Sequence, residues 1–384
     1  MPTDILTPGV YIEELPASAS PIQGVPTAVA LFIGTAANAP SAAPVALAGP
    51  GDIARALGPV PPDHLLASAL NAYFANGGRR AWVACITGDP AMTPTSPGFL
   101  ASLDAMLAPD GPIASVECFN LLVVPGLIDV PTAIRLQTLC AERMAFLVLD
   151  APEGAEPAAA IDHARALAAG PDAKNSALYY PGVMVVDAGT PGAPRRMPPS
   201  GAVAGVYARM DDATGVWTAP AGIDASLRGI VGVERAVNDL EQGPLNLEGV
   251  NVLRQFPVYG PVVWGARTLA PNAPDWRYVP VRRLALFVQA SVETGLQWAV
   301  FEPNGPPLWA TVRLSVATFL DGLWRQGAFM GSTPREAYGV ECGGGTTMTA
   351  QDVAEGRLVL SLRFAPLRPA EFIVIGIEVD TAGP

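Results

Sequence analysis

The side chains able to do chemistry are few and scattered along the 384 residues. The two histidines, His64 and His163, stand in helical stretches rich in Ala and Leu. Neither has a ligand-type partner at i+4, so neither reads as a metal ligand or a base. The four cysteines, Cys85, Cys118, Cys140 and Cys342, lack paired metal spacing and lie in apolar surroundings. They read as buried thiols of a protein folded in a reducing cytoplasm. Gly343, Gly344 and Gly345 offer backbone N–H groups able to cradle an anion, but no lysine adjoins them and they read as a flexible hairpin. The acidic pairs Glu153/Glu156 and Asp211-Asp212 have the right type for proton transfer. No motif flanks them, and they read as solvated turns. Phosphate-loop, dinucleotide, zinc-protease and nucleophile-elbow patterns are all missing. The sequence offers no catalytic residue, no metal ligand set and no cofactor site. A metabolic α/β enzyme working without a recognisable motif is the rival reading, and a ligand-bearing pocket would be its mark.

One local charge pattern calls for a partner. Arg282-Arg283 open a helix, where the macrodipole disfavours cations by roughly a few tenths of a kcal/mol. Pairing with carboxylates is expected. Glu293 on the same helix and Glu302 after it are candidates.

Composition narrows the class further. Half of the residues are hydrophobic and 15% are charged, against roughly 25% charged in an ordinary soluble domain. No uninterrupted apolar run approaches the ~18 residues that span a bilayer, so membrane insertion is not expected. The apolar excess then belongs in cores and protein–protein contacts, which points to a large obligate assembly. A net charge of -12 argues against nucleic-acid binding, which needs a basic face. Residues 1–54 hold no Lys or Arg, so no secretory n-region and no basic arm are expected there.

The elements that would carry any site alternate between strand and helix. Apolar runs at 27–37, 81–87, 120–125, 145–150 and 177–187 read as buried strands. Helical stretches lie between them: Ile53–Leu57, a helix capped by Asp63, and residues 131–143 and 157–169. This indicates an α/β layer around a mainly parallel sheet. Ser200 is the expected N-cap of an Ala/Gly helix whose small residues permit close packing. Residues 250–256 and 258–269 read as two more strands.

Two amphipathic helices follow, at about 281–298 and about 307–326. The first sets Leu284, Val288, Val292 and Gly295 on one face, with Arg282 and Glu293 opposite. The second gathers Val312, Val316, Leu320 and Leu323, with Asp321 and Arg325 opposite as an i,i+4 pair. Arg313 falls inside the apolar sector and must snorkel or meet a partner.

Each end of the chain carries an orphan strand. Residues 7–15, TPGVYIEEL, alternate Val10 and Ile12 against Tyr11 and Glu13, and Pro16 ends the run. Residues 372–379, FIVIGIEV, set Ile373, Ile375 and Ile377 against Phe372 and Val374. Both hang on Pro-rich tethers. A lone strand with apolar side chains on both faces needs a sheet edge to join. Strand addition between subunits, through Val10, Tyr11, Ile12, Phe372, Ile373, Val374, Ile375 and Ile377, meets that need.

Longer stretches carry a resemblance. TPGVYIEE (7–14), SGAVAGVYARMD (200–211), VNVLRQF (250–256) and VWGARTL (263–269) occur in order. VRRLALFVQASVETGLQWAVFEPN (281–304), LWATVRLSVATFLDGLWRQGAFMG (308–331) and APLRPAEFIVIGIE (365–378) follow. Together they resemble the contractile tail sheath proteins of myophages, R-type bacteriocins and extracellular contractile injection systems. The likeness is densest in the last third and thinnest over about 35–195.

The resemblance implies an α/β fold class: an α+β inner domain, an outer α/β domain and extended N- and C-terminal strand arms. The expected division is an arm at 1–25, an outer domain at 26–249, an inner domain with both helices at 250–370, and an arm at 371–384. It implies a non-enzymatic homo-oligomer of stacked hexameric rings around an inner tube protein, which contracts to drive the tube through a target envelope. Baseplate and terminal cap proteins, and sheath paralogues, are the further partners it implies. Such a chain is made in the bacterial cytoplasm without a signal peptide and becomes part of a phage tail or a released tail-like particle. Asp321, Arg325 and Arg313 are the candidate tube contacts, and Arg282, Arg283 and Glu293 the candidate inner-domain ion pairs. The modest length favours a bacteriocin-like or extracellular injection system over a large phage.

Overall fold

The structure, a computed structural model, describes residues 21–41, 43–89, 92–186 and 193–371. Both expected terminal strands, 7–15 and 372–379, lie outside the described residues. The described residues divide into two compact units, a larger one from Gly24–Ala290 with residues 366–371, and a smaller one from Ser291–Ala365 with residues 21–23.

The larger unit contains strands β1 (Ala30–Thr35), β2 (Val45–Leu47), β3 (Ala81–Ile86), β4 (Leu121–Val123), β5 (Phe146–Asp150) and β6 (Ser176–Tyr180). These are followed by β7 (Val183–Val186), β8 (Pro194–Met197), β9 (Gly232–Val233), β10 (Val250–Phe256) and β11 (Gly260–Val263). An eight-stranded sheet runs β11-β10-β6-β5-β4-β1-β3-β2, beside a three-stranded sheet β8-β7-β9. From β10 to β3 every neighbouring pair is parallel, and antiparallel β11 and β2 form the edges. Ala30 of β1 aligns with Ala81 on one side and Leu121 on the other, which makes that apolar run a central strand.

Helices cover both faces, as crossovers between parallel strands require. They are α1 (Ile53–Leu57), α2 (Leu65–Ala75), α3 (Pro97–Met106), α4 (Val130–Glu142), α5 (Pro157–Ala168), α6 (Ser200–Thr214) and α7 (Asp239–Leu247). Helix α8 (Val279–Gly295) begins in this unit. Phe32, Val83 and Phe146 point into one buried layer with residues of α2 and α6; Leu31, Ile33 and Leu147 point into the other with residues of α3, α4 and α5. Two glycines of α6 allow its contact with α2. A Cβ at Gly201 would lie 2.5 Å from the Ala69 carbonyl oxygen, and one at Gly205 2.3 Å from that of Tyr73.

Several local expectations need correction. The N-cap of α2 is His64, whose side chain accepts from the Ala67 N–H at 3.3 Å, and not Asp63. Ser200 is the first residue of α6 rather than its cap, because its N–H and hydroxyl both serve Asp150. The 177–187 run breaks at Pro181 into β6 and β7, which belong to different sheets. Strand β10, expected to open the stretch after 249, pairs within the large sheet. β10 pairs with β6 from Val250↔Leu178 to Val252↔Tyr180 and so joins the large sheet, and the compact units divide at 290/291, within α8. Val250, Val252 and Leu253 are apolar enough to be buried on both sides, and only the large sheet offers that.

The smaller unit holds α9 (Pro306–Arg325), α10 (Pro334–Ala337), β12 (Tyr338–Glu341), α11 (Ala350–Ala354) and β13 (Ser361–Phe364). Strands β12 and β13 form a two-stranded antiparallel sheet, from Tyr338↔Phe364 to Glu341↔Ser361. One cluster of its core holds Leu308, Val312, Cys342 and Met348, with partly buried neighbours such as Trp298, Trp309 and Leu360, and Val316, Leu320, Leu323, Ala328, Phe329 and Ala337 are buried as well.

Candidate subunit-assembly site

The structure describes how the chain is held next to both expected arms, at Ile22 and Glu371. At the N-terminal side, Ile22 is buried against Gly295 of α8, where a Cβ would come within 2.7 Å of the Ile22 Cγ2. Gly295 therefore lies on the apolar face because another residue fills its place. At the C-terminal side, Glu371 is gripped by Arg267: Nε donates to Oε1 at 2.8 Å and Nη2 to Oε2 at 2.5 Å. The Tyr278 hydroxyl donates to the same Oε2 at 3.3 Å, and Arg267 also donates to the Asn246 carbonyl at 2.9 Å. Both partners are largely buried, and this bidentate pairing fixes orientation as well as position.

A groove of about 460 Å³ lies beside this clamp, lined by Trp264, Ala266, Pro369 and Ala370 among others. Its charged lining is Asp239, Arg254 and Glu371. Asp239 pairs with Arg254 at 2.6 Å and Glu371 with Arg267, so each of these groups is already engaged within the chain. No set of three His, Cys, Asp or Glu among the described residues could hold a metal ion.

The arginine pair at the start of α8 does find partners, in the larger unit. Arg283, 4% exposed, donates to both carboxylate oxygens of Asp211 at 2.8 and 2.7 Å and to the Thr27 carbonyl at 2.9 Å. Its guanidinium lies 4.7 Å from the Tyr207 ring centre. Burial opposes its charge, but Asp211 outweighs burial and its pKa is raised. The Asp211 side chain, 4% exposed, is thus buried on α6 and not part of a solvated turn, and it stands where Glu293 or Glu302 was expected. Arg282 donates to Asn175 Oδ1 at 2.6 Å and stacks 4.9 Å from the Trp276 ring centre. Burial lowers its pKa to about 10.

Sequence reasoning missed Asp150. This last residue of β5 is 2% exposed and accepts from the Gly126 N–H at 3.0 Å and from the Ser200 N–H and hydroxyl at 2.7 Å each. Burial pushes its pKa up to about 6, against the pull of those hydrogen bonds. A carboxylate at the carboxyl end of a parallel strand sits where α/β folds place ligands. Here the N-terminus of α6 takes that place, so the group ties β5 to α6 and to the β4–α4 turn.

In the smaller unit, Arg313 donates to the Cys342 carbonyl, which resolves its position in the apolar sector of α9. Asp321 pairs with Arg325 at 2.7 Å and accepts from the Tyr338 hydroxyl at 3.2 Å, linking α9 to β12. Of the three candidate tube contacts, Arg325 is exposed while Asp321 and Arg313 are half-buried. The exposed stripe of α9 runs through Ala310, Leu314, Thr318 and Arg325. No helix among the described residues is long and apolar enough to cross a membrane.

Comparison with known proteins follows these lines. The profile of the phage tail sheath protein central domain matches residues 93–269, and that of the phage tail sheath C-terminal domain matches residues 272–380. A putative prophage major tail sheath protein from Pseudomonas aeruginosa (strain UCBPP-PA14) is 28% identical over 265 residues. That match covers 68% of this chain and 64% of the relative, less than two thirds of the relative's length. A chain of an extracellular contractile injection system, the PVC sheath complex in its contracted state, superposes with a TM-score of 0.78 at 32% identity over 99% of both chains. A chain of the anti-feeding prophage baseplate, six-fold symmetrised, gives a TM-score of 0.77 at 32% identity over 98% of this chain and 99% of the other. With the family profiles meeting near residue 270 and full-length structural likeness around them, this chain belongs to the phage tail sheath protein family.

Proposed function

We propose that this protein is the structural subunit of a contractile sheath in an extracellular, phage-tail-like injection particle. Copies polymerise as stacked hexameric rings around an inner tube protein, and contraction drives that tube through a target envelope. The likeness to the PVC chain seen in a contracted sheath complex, over 99% of both chains, carries this reading. The six-fold symmetry of the baseplate that contains the anti-feeding prophage chain supports hexameric rings and a baseplate partner. Terminal cap proteins and sheath paralogues belong to the same reading. The work done is mechanical, not catalytic.

The arms, through Val10, Tyr11 and Ile12 and through Phe372–Ile377, link each copy to its neighbours by strand addition. The acceptor is the β12–β13 sheet, in which each strand has one strand neighbour among the described residues. Two strands alone are marginal in water, and added strands would complete a stable sheet. Each arm adds several main-chain hydrogen bonds of about 0.5–1.5 kcal/mol net. Such links hold while weaker rigid-body contacts exchange during contraction. The Ala310, Leu314, Thr318 and Arg325 stripe of α9 faces the tube.

Negative-stain microscopy of the purified protein tests this reading. Hollow tubes are expected from the full chain, and folded monomers from a chain lacking residues 1–15. Normal tubes from the shortened chain would contradict the role of the arm.

A further inference from the structure

Phe301 combines features that make sense together only with a partner. It is 101% exposed, beside Val300 at 56%. Its φ of 72° lies in the left-handed region, where a Cβ is disfavoured and Gly or Asn is usual. Yet the loop is not loose. Asn304 donates from Nδ2 to the Arg357 carbonyl at 3.1 Å and accepts from the Trp309 indole N–H at 2.8 Å. The chain thus holds a large aromatic ring in water on a disfavoured backbone. Glycine there would relieve the backbone and remove the exposed ring at once, so the ring on its disfavoured backbone points to a use outside its own fold.

We propose that Phe301 is an anchor that covers the apolar face of an arm donated by a second copy of this chain. The inference rests on the sheath reading above and names a residue within it. The Arg357 carbonyl that secures Asn304 lies in the segment leading to β13, which ties the Phe301 loop to the approach of the two-stranded sheet. An arm joining that sheet brings apolar side chains on both faces, Ile373 and Ile375 on one and Phe372 and Val374 on the other. One of those faces turns away from the sheet's own core and needs cover. An exposed aromatic ring on a fixed loop is suited to that, in the way aromatic anchors dominate protein interfaces.

Two substitutions separate the contact from the fold. With the sheath protein expressed alone, Phe301→Ala and Phe301→Gly should each raise the critical concentration for tube formation about tenfold or more. Phe301→Gly should leave the monomer melting at or above the wild-type temperature, because glycine accepts the positive φ. A photo-crosslinking p-benzoylphenylalanine at position 301 should join sheath to sheath in assembled particles. Unchanged self-assembly of both variants, or crosslinking to the tube protein alone, overturns the proposal. A wild-type chain that forms no tubes overturns the sheath reading itself, and that failure is distinguishable because it precedes any substitution.

Discussion

The two units solve the problem of sheet edges differently. In the larger one, both faces of the eight-stranded sheet are covered by helices, and the β11 edge is occupied by the chain itself. Gly222 N–H donates to Val263 and Leu227 N–H to Pro261, both at 2.8 Å, and Val263 N–H donates to Ala225 at 3.0 Å. In the smaller one, the sheet has two strands among the described residues, and their residues are half-buried or exposed. A sheet covered on its faces and at its β11 edge is self-sufficient, whereas a two-stranded sheet leaves stability to be gained from outside. Under the proposed sheath reading, the two-stranded sheet is where assembly adds stability.

The contrast can be broken most severely from within the larger unit. Replacing Arg283 or Asp211 by Ala leaves the other charge buried and unpaired, and should cost about 3–5 kcal/mol in denaturant unfolding of the monomer. Replacing both by apolar residues of similar size should cost much less. Gly205→Ala comes next, since the new Cβ would press on the Tyr73 carbonyl. About 1–3 kcal/mol of stability should be lost, read as a fall in the monomer melting temperature.

Asp150 gives a pH signature of the larger unit. Its folded pKa of about 6 exceeds the ordinary carboxyl value of 3.8, so the folded state holds the proton more tightly. The resulting stability is fully present below the unfolded pKa and is lost as pH rises through about 6. Between pH 7 and pH 5 the wild type should gain about 1 kcal/mol from this group. Asp150→Asn should flatten that part of the profile in chemical melts at the two pH values. The smallest effect belongs to the smaller unit: Tyr338→Phe removes the partly exposed bond to Asp321 and should cost under about 1 kcal/mol. It should show as faster amide exchange in β12, with the larger unit unchanged.

How much of this was legible depended on range along the chain. β1 and β3 were readable because a parallel strand buried on both faces needs a continuous apolar run, and ALFIGT and AWVACI are such runs. The Asp321–Arg325 pair was readable because helix geometry sets its spacing. The Arg283–Asp211 pair was not, because its members lie 72 residues apart and no helix or strand period links them. The pairing of β10 with β6 was not legible for a related reason: VNVLRQF looks the same whether it joins the preceding sheet or opens a new one. Asp150 ended an apolar run like any strand-terminal acid, and only the arrival of Ser200 made it a tie. Phe301 was hidden because no pattern of residue types announces a positive φ.

Hydrogen–deuterium exchange of the amides in Tyr338–Glu341 and Ser361–Phe364, compared between monomer and assembled tubes, tests the central claim most directly. If copies of this chain complete the small sheet, these amides exchange quickly in the monomer and at least about a hundredfold more slowly in tubes, while the large sheet changes little. Equal protection of β12 and β13 in the two states would contradict the account.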